Sequence, residues 1–184
     1  MTPYGEFKEM SKQIGRVNLY LADPLSHMSD SQRHPIDRVN DAALIVFHVF
    51  AFEDLCKQYI SRLASKKGSP SLNSNLLKKL AWEAAQPSTS QPKRLDEAMP
   101  RLRVVDEVMM IRDLCAHGFG RRKPLAVPTR LTPTVLRSYG FETDGREDDL
   151  EARWWPTRFC SFSACVAPLM ELARWIAENL PVQQ

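Results

Sequence analysis

Residues 37–65 constrain the fold of this chain more than any other stretch. Ile45, Val49, Phe52, Cys56, Tyr59 and Leu63 recur at three- and four-residue steps and make one apolar face, while Val39, Ala43, Val46 and Phe50 make another. A helix that is apolar on two sides is expected at the centre of a helical domain, where neighbours pack on it from more than one direction. Lys66-Lys67-Gly68 supplies the cations and the glycine that favour a helix C-terminus. The second face continues to Glu53, a carboxylate where an apolar side chain is due.

Other segments read as helices that could surround this one. Phe7, Met10, Ile14, Val17 and Leu21 define an amphipathic helix over about residues 5–22, which Asp23-Pro24 is expected to end because the residue before a proline avoids helical dihedrals. A polar, turn-rich stretch is expected from there through His34-Pro35. Leu72 to Ala85 reads as a shorter helix and residues 86–93 as a loop. The third main helix starts between about 94 and 100 and runs to 117, with stripes Leu102-Val105-Met109 and Val104-Val108-Ile111-Cys115. The first stripe runs on to Arg112 and Ala116, so a guanidinium interrupts an apolar face near the helix end. Gly118 is placed to cap that end. Thr132-Pro133 with Gly140 marks a short capped helix. The last helix, about 160–180, carries Phe162, Val166, Leu169, Ala173, Ile176 and Leu180, with Pro168 either kinking it or starting its regular part.

No strand-like alternation, glycine-rich phosphate loop or internal repeat is present. The expected architecture is all-α: an antiparallel four-helix bundle with short extra helices and a long loop insertion before the last helix. At 184 residues, 43% of them hydrophobic, the chain reads as one domain over 1–184, with an irregular insertion at about 119–157. The acidic run Asp144–Glu151 in that insertion is expected to be exposed.

Charge is distributed unevenly. The net charge is only +3, yet residues 101–130 hold seven Lys or Arg (101, 103, 112, 121, 122, 123, 130) against three acids (106, 107, 113). A basic centre of this kind suits an anionic partner. The four cysteines (56, 115, 160, 165) have no CxxC spacing, so neither a disulfide framework nor a zinc site is expected. No His/Asp/Glu cluster has ligand spacing, and no metal or cofactor is expected. No apolar run reaches the roughly 18–20 residues of a membrane span, and a signal-peptide core is lacking, so the expected location is cytoplasmic.

The chemistry-bearing stretch is Ile111-Arg112-Asp113-Leu114-Cys115-Ala116-His117-Gly118. Five residues of helix turn through about 500°, leaving Arg112 and His117 about 140° apart around the axis. Either His117 sits where the helix bends into its cap, or the pair is completed across a dimer. Histidine exchanges a proton near neutral pH. Arginine offers a permanent charge and forked donors that match phosphoryl oxygens. Arg121, Arg122 and Lys123 follow at once and would track a nucleic-acid backbone.

This stretch resembles the signature of the HEPN superfamily, an Arg, a polar residue, a few variable positions and a His at the end of the third helix of an all-α domain. Arg112 and His117 match the invariant pair and Asp113 the polar position; the helical likeness spans about 5–117 and 160–180 and leaves out 119–157. The resemblance implies a metal-independent endoribonuclease of the toxin or phage-defence kind. Two protomers would bring two Arg/His pairs into one cleft, where the ribose 2′-OH attacks the adjacent phosphate. It also implies RNA as substrate, a homodimer, and control by a nucleotidyltransferase-like antitoxin. In a non-catalytic member, the domain would bind RNA or nucleotide, or serve only for dimerisation.

Plainer roles stay open for the same residues. Arg112 would pair with a buried carboxylate such as Glu53, with His117 merely capping its helix through the dipole, in a helical interaction protein. Asp113 reads as an orienting partner, and Glu53 as either a structural ion pair or a supporting member of the site. His48 reads as a hydrogen-bonded packing histidine. Cys115 reads as a buried thiol rather than a nucleophile. Trp154-Trp155-Pro156 reads as packing of the insertion onto the helices, with base stacking as the alternative.

Overall fold

The computed structural model describes residues 2–27, 29–63, 95–117, 120–122 and 131–179. The short helix expected at 72–85, the loop at 86–93, the stop at Lys66-Lys67-Gly68, and Gly118 and Lys123 lie outside the described residues. What is described is mostly helical: α1 (Pro3–Ser26), α2 (Asp30–Leu63), α3 (Leu95–Ala116), α4 (Pro133–Ser138) and α5 (Arg158–Asn179), with β1 (Phe141–Thr143) and β2 (Trp154–Pro156) between α4 and α5. Among these helices, none is long and apolar enough to cross a membrane.

The helix ends follow local chemistry, in places against expectation. α1 begins earlier than its apolar pattern because Thr2 accepts the Gly5 N–H through Oγ1 at 3.2 Å and Pro3 occupies the first helical position. Asp23-Pro24 does not end it. Pro24 falls in the last turn, where its missing N–H forfeits one bond of a helix already near its end, and α1 continues to Ser26. Most of the stretch through His34-Pro35 is likewise helical, with a turn at His27 between α1 and α2. α2 starts at Asp30, and the single bond that Pro35 gives up is small beside the cooperative propagation of 34 residues.

α2 packs against α1, α3 and α5, and α3 and α5 also pack on each other. The core holds Ile45, Val49, Phe52 and Cys56 of α2, with Val105, Val108, Ile111 and Leu114 of α3, and Leu169, Leu172, Ala173 and Ile176 of α5. The buried row of α3 therefore runs between the two stripes read from sequence, and Val104 is left outside it. α1 contributes Phe7, edge-on to Phe52 at 6.0 Å between centroids, while Met10 and Val17 remain exposed. Only one of α2's two apolar faces enters this core. Val39, Phe47 and Phe50 are turned to solvent.

Residues 131–157, between α3 and α5, carry regular structure where an irregular insertion is expected. Thr132 caps α4 by accepting the Val135 N–H at 3.2 Å, Pro133 follows as the first helical residue, and Gly140 takes positive φ after the helix, as the residue types predict. The absence of strands is corrected: β1 and β2 pair antiparallel, Phe141 with Pro156 and Thr143 with Trp154. Three-residue strands are too short to show a period of two in sequence. Trp154 is buried in the common core and β2 packs on α2, so this tryptophan attaches the segment to the helices. Asp144 to Glu151 is largely exposed, as its charge requires.

His48 is a packing residue. Its Nδ1 lies 3.0 Å from the Leu44 carbonyl, which can only accept, so the proton sits on Nδ1; the ring meets Phe162 edge-on at 4.9 Å. Burial lowers its pKa below the usual 6.5, against the opposing pull of the Leu44 and Ser11 carbonyls. The unfolded chain therefore takes up this proton first, so stability contributed above pH 6.5 is lost as pH falls from 6.5 through the folded value. Chemical denaturation at pH 7.5 and 5.5 is expected to show a smaller acid-side loss in His48→Leu than in the wild type. Equal losses would assign the acid sensitivity to other groups.

Candidate active site at the end of the third helix

Arg112 stands on the last full turn of α3, on the side that meets α2. Its Nη2 donates to Glu53 Oε1 at 2.7 Å, and its guanidinium carbon lies 5.3 Å from the centroid of the Phe50 ring. Phe50 and Glu53 are three residues apart on α2, hence neighbours on one side of that helix. One supplies a π-face and the other a carboxylate, and together they hold the guanidinium in a set orientation. Asp113 Oδ1 lies 3.2 Å from Arg112 Nε as an ion pair, but it is misaligned for a hydrogen bond, and Nε has no other acceptor among the described residues. Arg112 is only 14% exposed, Glu53 9% and Asp113 45%.

One cation thus stands between two carboxylates, of which only Asp113 reaches water freely. Burial raises the pKa of Glu53; the charges of Arg112 and Lys57 pull it back, and that of Asp113 adds to the rise. The contact between Arg112 and Glu53 is the one expected from the two misplaced charges in the apolar stripes. Its presence is compatible with a structural ion pair and with a guanidinium presented for use.

His117 lies one residue beyond α3. Its backbone N–H bonds to the Asp113 carbonyl at 2.9 Å, continuing the helical ladder, and its side chain is exposed. Among the described residues no hydrogen bond or ion pair joins His117 to Arg112. The helix therefore separates the pair as its geometry predicts: the cation faces the groove with α2, and the imidazole stands free at the rim.

The basic residues that follow do not form one exposed run. Arg121 is exposed, and its backbone bridges to Arg153. Arg122 is turned inward, 5% exposed, with Nη2 donating to the Glu147 carbonyl at 2.7 Å and the guanidinium 5.9 Å from the Trp154 ring. The expectation that Arg122 tracks a nucleic-acid backbone is corrected on that ground. The loop carbonyl and the tryptophan face hold the guanidinium inside the protein, while its buried Nε has no hydrogen-bond partner among the described residues.

Two contributors escaped the sequence reading. By sequence Phe50 belongs to an apolar face, and its spacing to Glu53 is the signal that it shares Arg112. Gly120, at φ 81°, is the other. Its N–H reaches the Leu114 carbonyl at 3.0 Å and its carbonyl accepts the Trp154 N–H at 2.8 Å, so it ties the end of α3 to β2. A Cβ there would lie 2.7 Å from the Trp154 carbonyl oxygen. Nothing but glycine fits without backbone movement.

Cys115, two residues before His117, is half-buried at the edge of the core, and desolvation pushes its thiol up to about 12, which argues against a nucleophile. Among the described residues no group of three or more His, Cys, Asp or Glu comes together as a metal site requires. What the α3 end offers is an oriented cation with donors to spare and an exposed proton-exchanging group. No family model, curated protein or solved structure matches this chain.

Proposed function

We propose that this chain is a HEPN-like four-helix domain acting as a metal-independent endoribonuclease, and that it works as a homodimer. The observation that carries the reading is the pairing of a clamped Arg112 with a free His117 at one helix end. In such a site the ribose 2′-oxygen attacks the adjacent phosphorus and the bond to the 5′-oxygen breaks. A 2′,3′-cyclic phosphate and a 5′-hydroxyl result. His117 of one protomer takes the 2′-OH proton, and the second His117 returns one to the leaving oxygen. Arg112 stabilises the charge that gathers on the phosphorane oxygens. Glu53 and Phe50 orient the guanidinium, Asp113 biases it from the other side, and Arg121 meets the RNA backbone.

A toxin or phage-defence role under the control of a nucleotidyltransferase-like antitoxin in the cytoplasm belongs to the same reading. The test is incubation of the purified protein with structured RNA in EDTA. Cleavage with cyclic-phosphate ends is expected; intact RNA would overturn the proposal. The Arg112–Glu53 contact also favours a second reading, a non-catalytic helical module that binds RNA or nucleotide or only dimerises. RNA retained on a filter but left intact is its outcome.

A further inference from the structure

α1 and α5 both pack on α2 but touch each other far less, so a cleft is left between them with α2 as its floor. Its volume is about 620 Å³, inside the roughly 300–1,000 Å³ of small-molecule sites, which in helical bundles lie between helices. The two walls differ in chemistry. Phe162, Val166 and Met170 follow one another at four-residue steps on α5 and make an apolar strip about 12 Å long, partly open to water. Lys8, Ser11 and Lys12, three and four residues apart on α1, make a polar patch on the other wall. His48 closes the floor, its ring against Phe162.

Charge and hydrogen bonding narrow what such a cleft takes. Lys12 forms a loose pair with Glu9, which also lines the cleft, at 3.9 Å. Lys8 has no carboxylate partner among the described residues, so the wall carries one cation in excess. Ser11 Oγ is buried and has no hydrogen-bond partner among the described residues, which leaves a hydroxyl with bonding capacity to spare beside that cation. The floor adds no second charge, because burial favours the neutral ring of His48 and its Nδ1 is taken by the Leu44 carbonyl.

We infer that this cleft binds a small organic acid with an apolar body, a monocarboxylate whose chain lies along Phe162, Val166 and Met170 while its carboxylate meets Lys8, Lys12 and the Ser11 hydroxyl. One cation in excess suits one negative charge, and a strip of this length suits the extended chain of octanoate. The site is separate from that of Arg112. His48 and Glu53 are five residues apart on α2, about 140° around its axis, so the cleft and the Arg112 groove open on different sides of that helix. The inference therefore does not rest on the nuclease reading.

Titration of the full chain with octanoate tests this, followed by the NMR resonances of the His48 ring and by the melting temperature. Octanoate is expected to move the His48 resonances saturably at millimolar concentration and to raise the melting temperature. Octanol and octylammonium, which keep the chain and lose the negative charge, are expected to bind at least about 5-fold more weakly. The double variant Lys8→Gln/Lys12→Gln is expected to weaken octanoate by about 5-fold, the combined loss of two exposed ion pairs. Arg16→Gln, at an exposed cation of α1 outside the cleft, is expected to leave binding unchanged. Val166→Trp fills the cleft and is expected to abolish binding; circular dichroism establishes that it is folded, and the lysine variants, at exposed positions, carry the test if it is not. His48 resonances that octanoate leaves unmoved would overturn the inference, as would octanol binding as tightly as octanoate or a lysine double variant that binds like the wild type. Binding to phosphatidylglycerol vesicles without binding to octanoate also overturns it, and assigns the lysines to a membrane surface.

Discussion

His117→Ala is expected to lower RNA cleavage by about 10²–10⁴-fold, the contribution of a positioned general acid or base, while leaving the fold as stable as the wild type. Both halves follow from where the side chain stands. His117 is exposed, and its only described bond is the backbone one to Asp113, which alanine keeps. Surface changes of this kind usually shift stability by no more than about 0.5 kcal/mol. A thermal melt beside single-turnover cleavage reads both quantities from one preparation. Cleavage at the wild-type rate would remove His117 from the site, and a large drop in melting temperature would recast it as a structural cap.

Arg112→Ala is expected to fail in both respects. Removing the guanidinium takes away the phosphorane's cation, worth about 10²–10³ in rate for a single electrostatic donor. It also leaves the carboxylate of Glu53 buried without its partner. Breaking a buried pair costs about 3–5 kcal/mol, and the low end applies because Glu53, its pKa already raised, can escape by taking up a proton. For a chain of this size that is roughly 6–12 °C in melting temperature. The double variant Arg112→Ala/Glu53→Gln separates the roles, since the amide needs no counter-charge. Stability is expected to return towards the wild type while cleavage stays lost. Recovery of both would make the pair purely structural, and the helical-module reading would then stand.

These two predictions differ because helix geometry treats Arg112 and His117 differently. Arg112 continues the stripe that includes Val105 and Met109, so its placement against α2 could be read from spacing alone, as could Glu53 opposite it. The contact between them joins positions 59 residues apart. Two charges interrupting two apolar stripes are a legible signal, because burying either alone would be prohibitive. Arg122 shows the limit of that logic. Beside Arg121 and Lys123 it reads as one more solvated cation, and nothing local reveals that Glu147 and Trp154, far along the chain, will draw it inward.

Local chemistry by itself determined the mostly helical class, the cap of α4, the core row of α2 and the packing role of His48. In each, the deciding force acts within a few residues, through side-chain periodicity, a capping hydroxyl or a carbonyl one turn away. Only the tertiary structure decided that Trp154 anchors a two-stranded ladder. It also decided that Gly120 is the glycine beneath Trp154, and that one of the two apolar faces of α2 is left in solvent. Those outcomes depend on partners distant in sequence, and on how many neighbours a helix finds. An apolar stripe records that a surface will be covered, and it carries no information about whether the cover comes from the same chain.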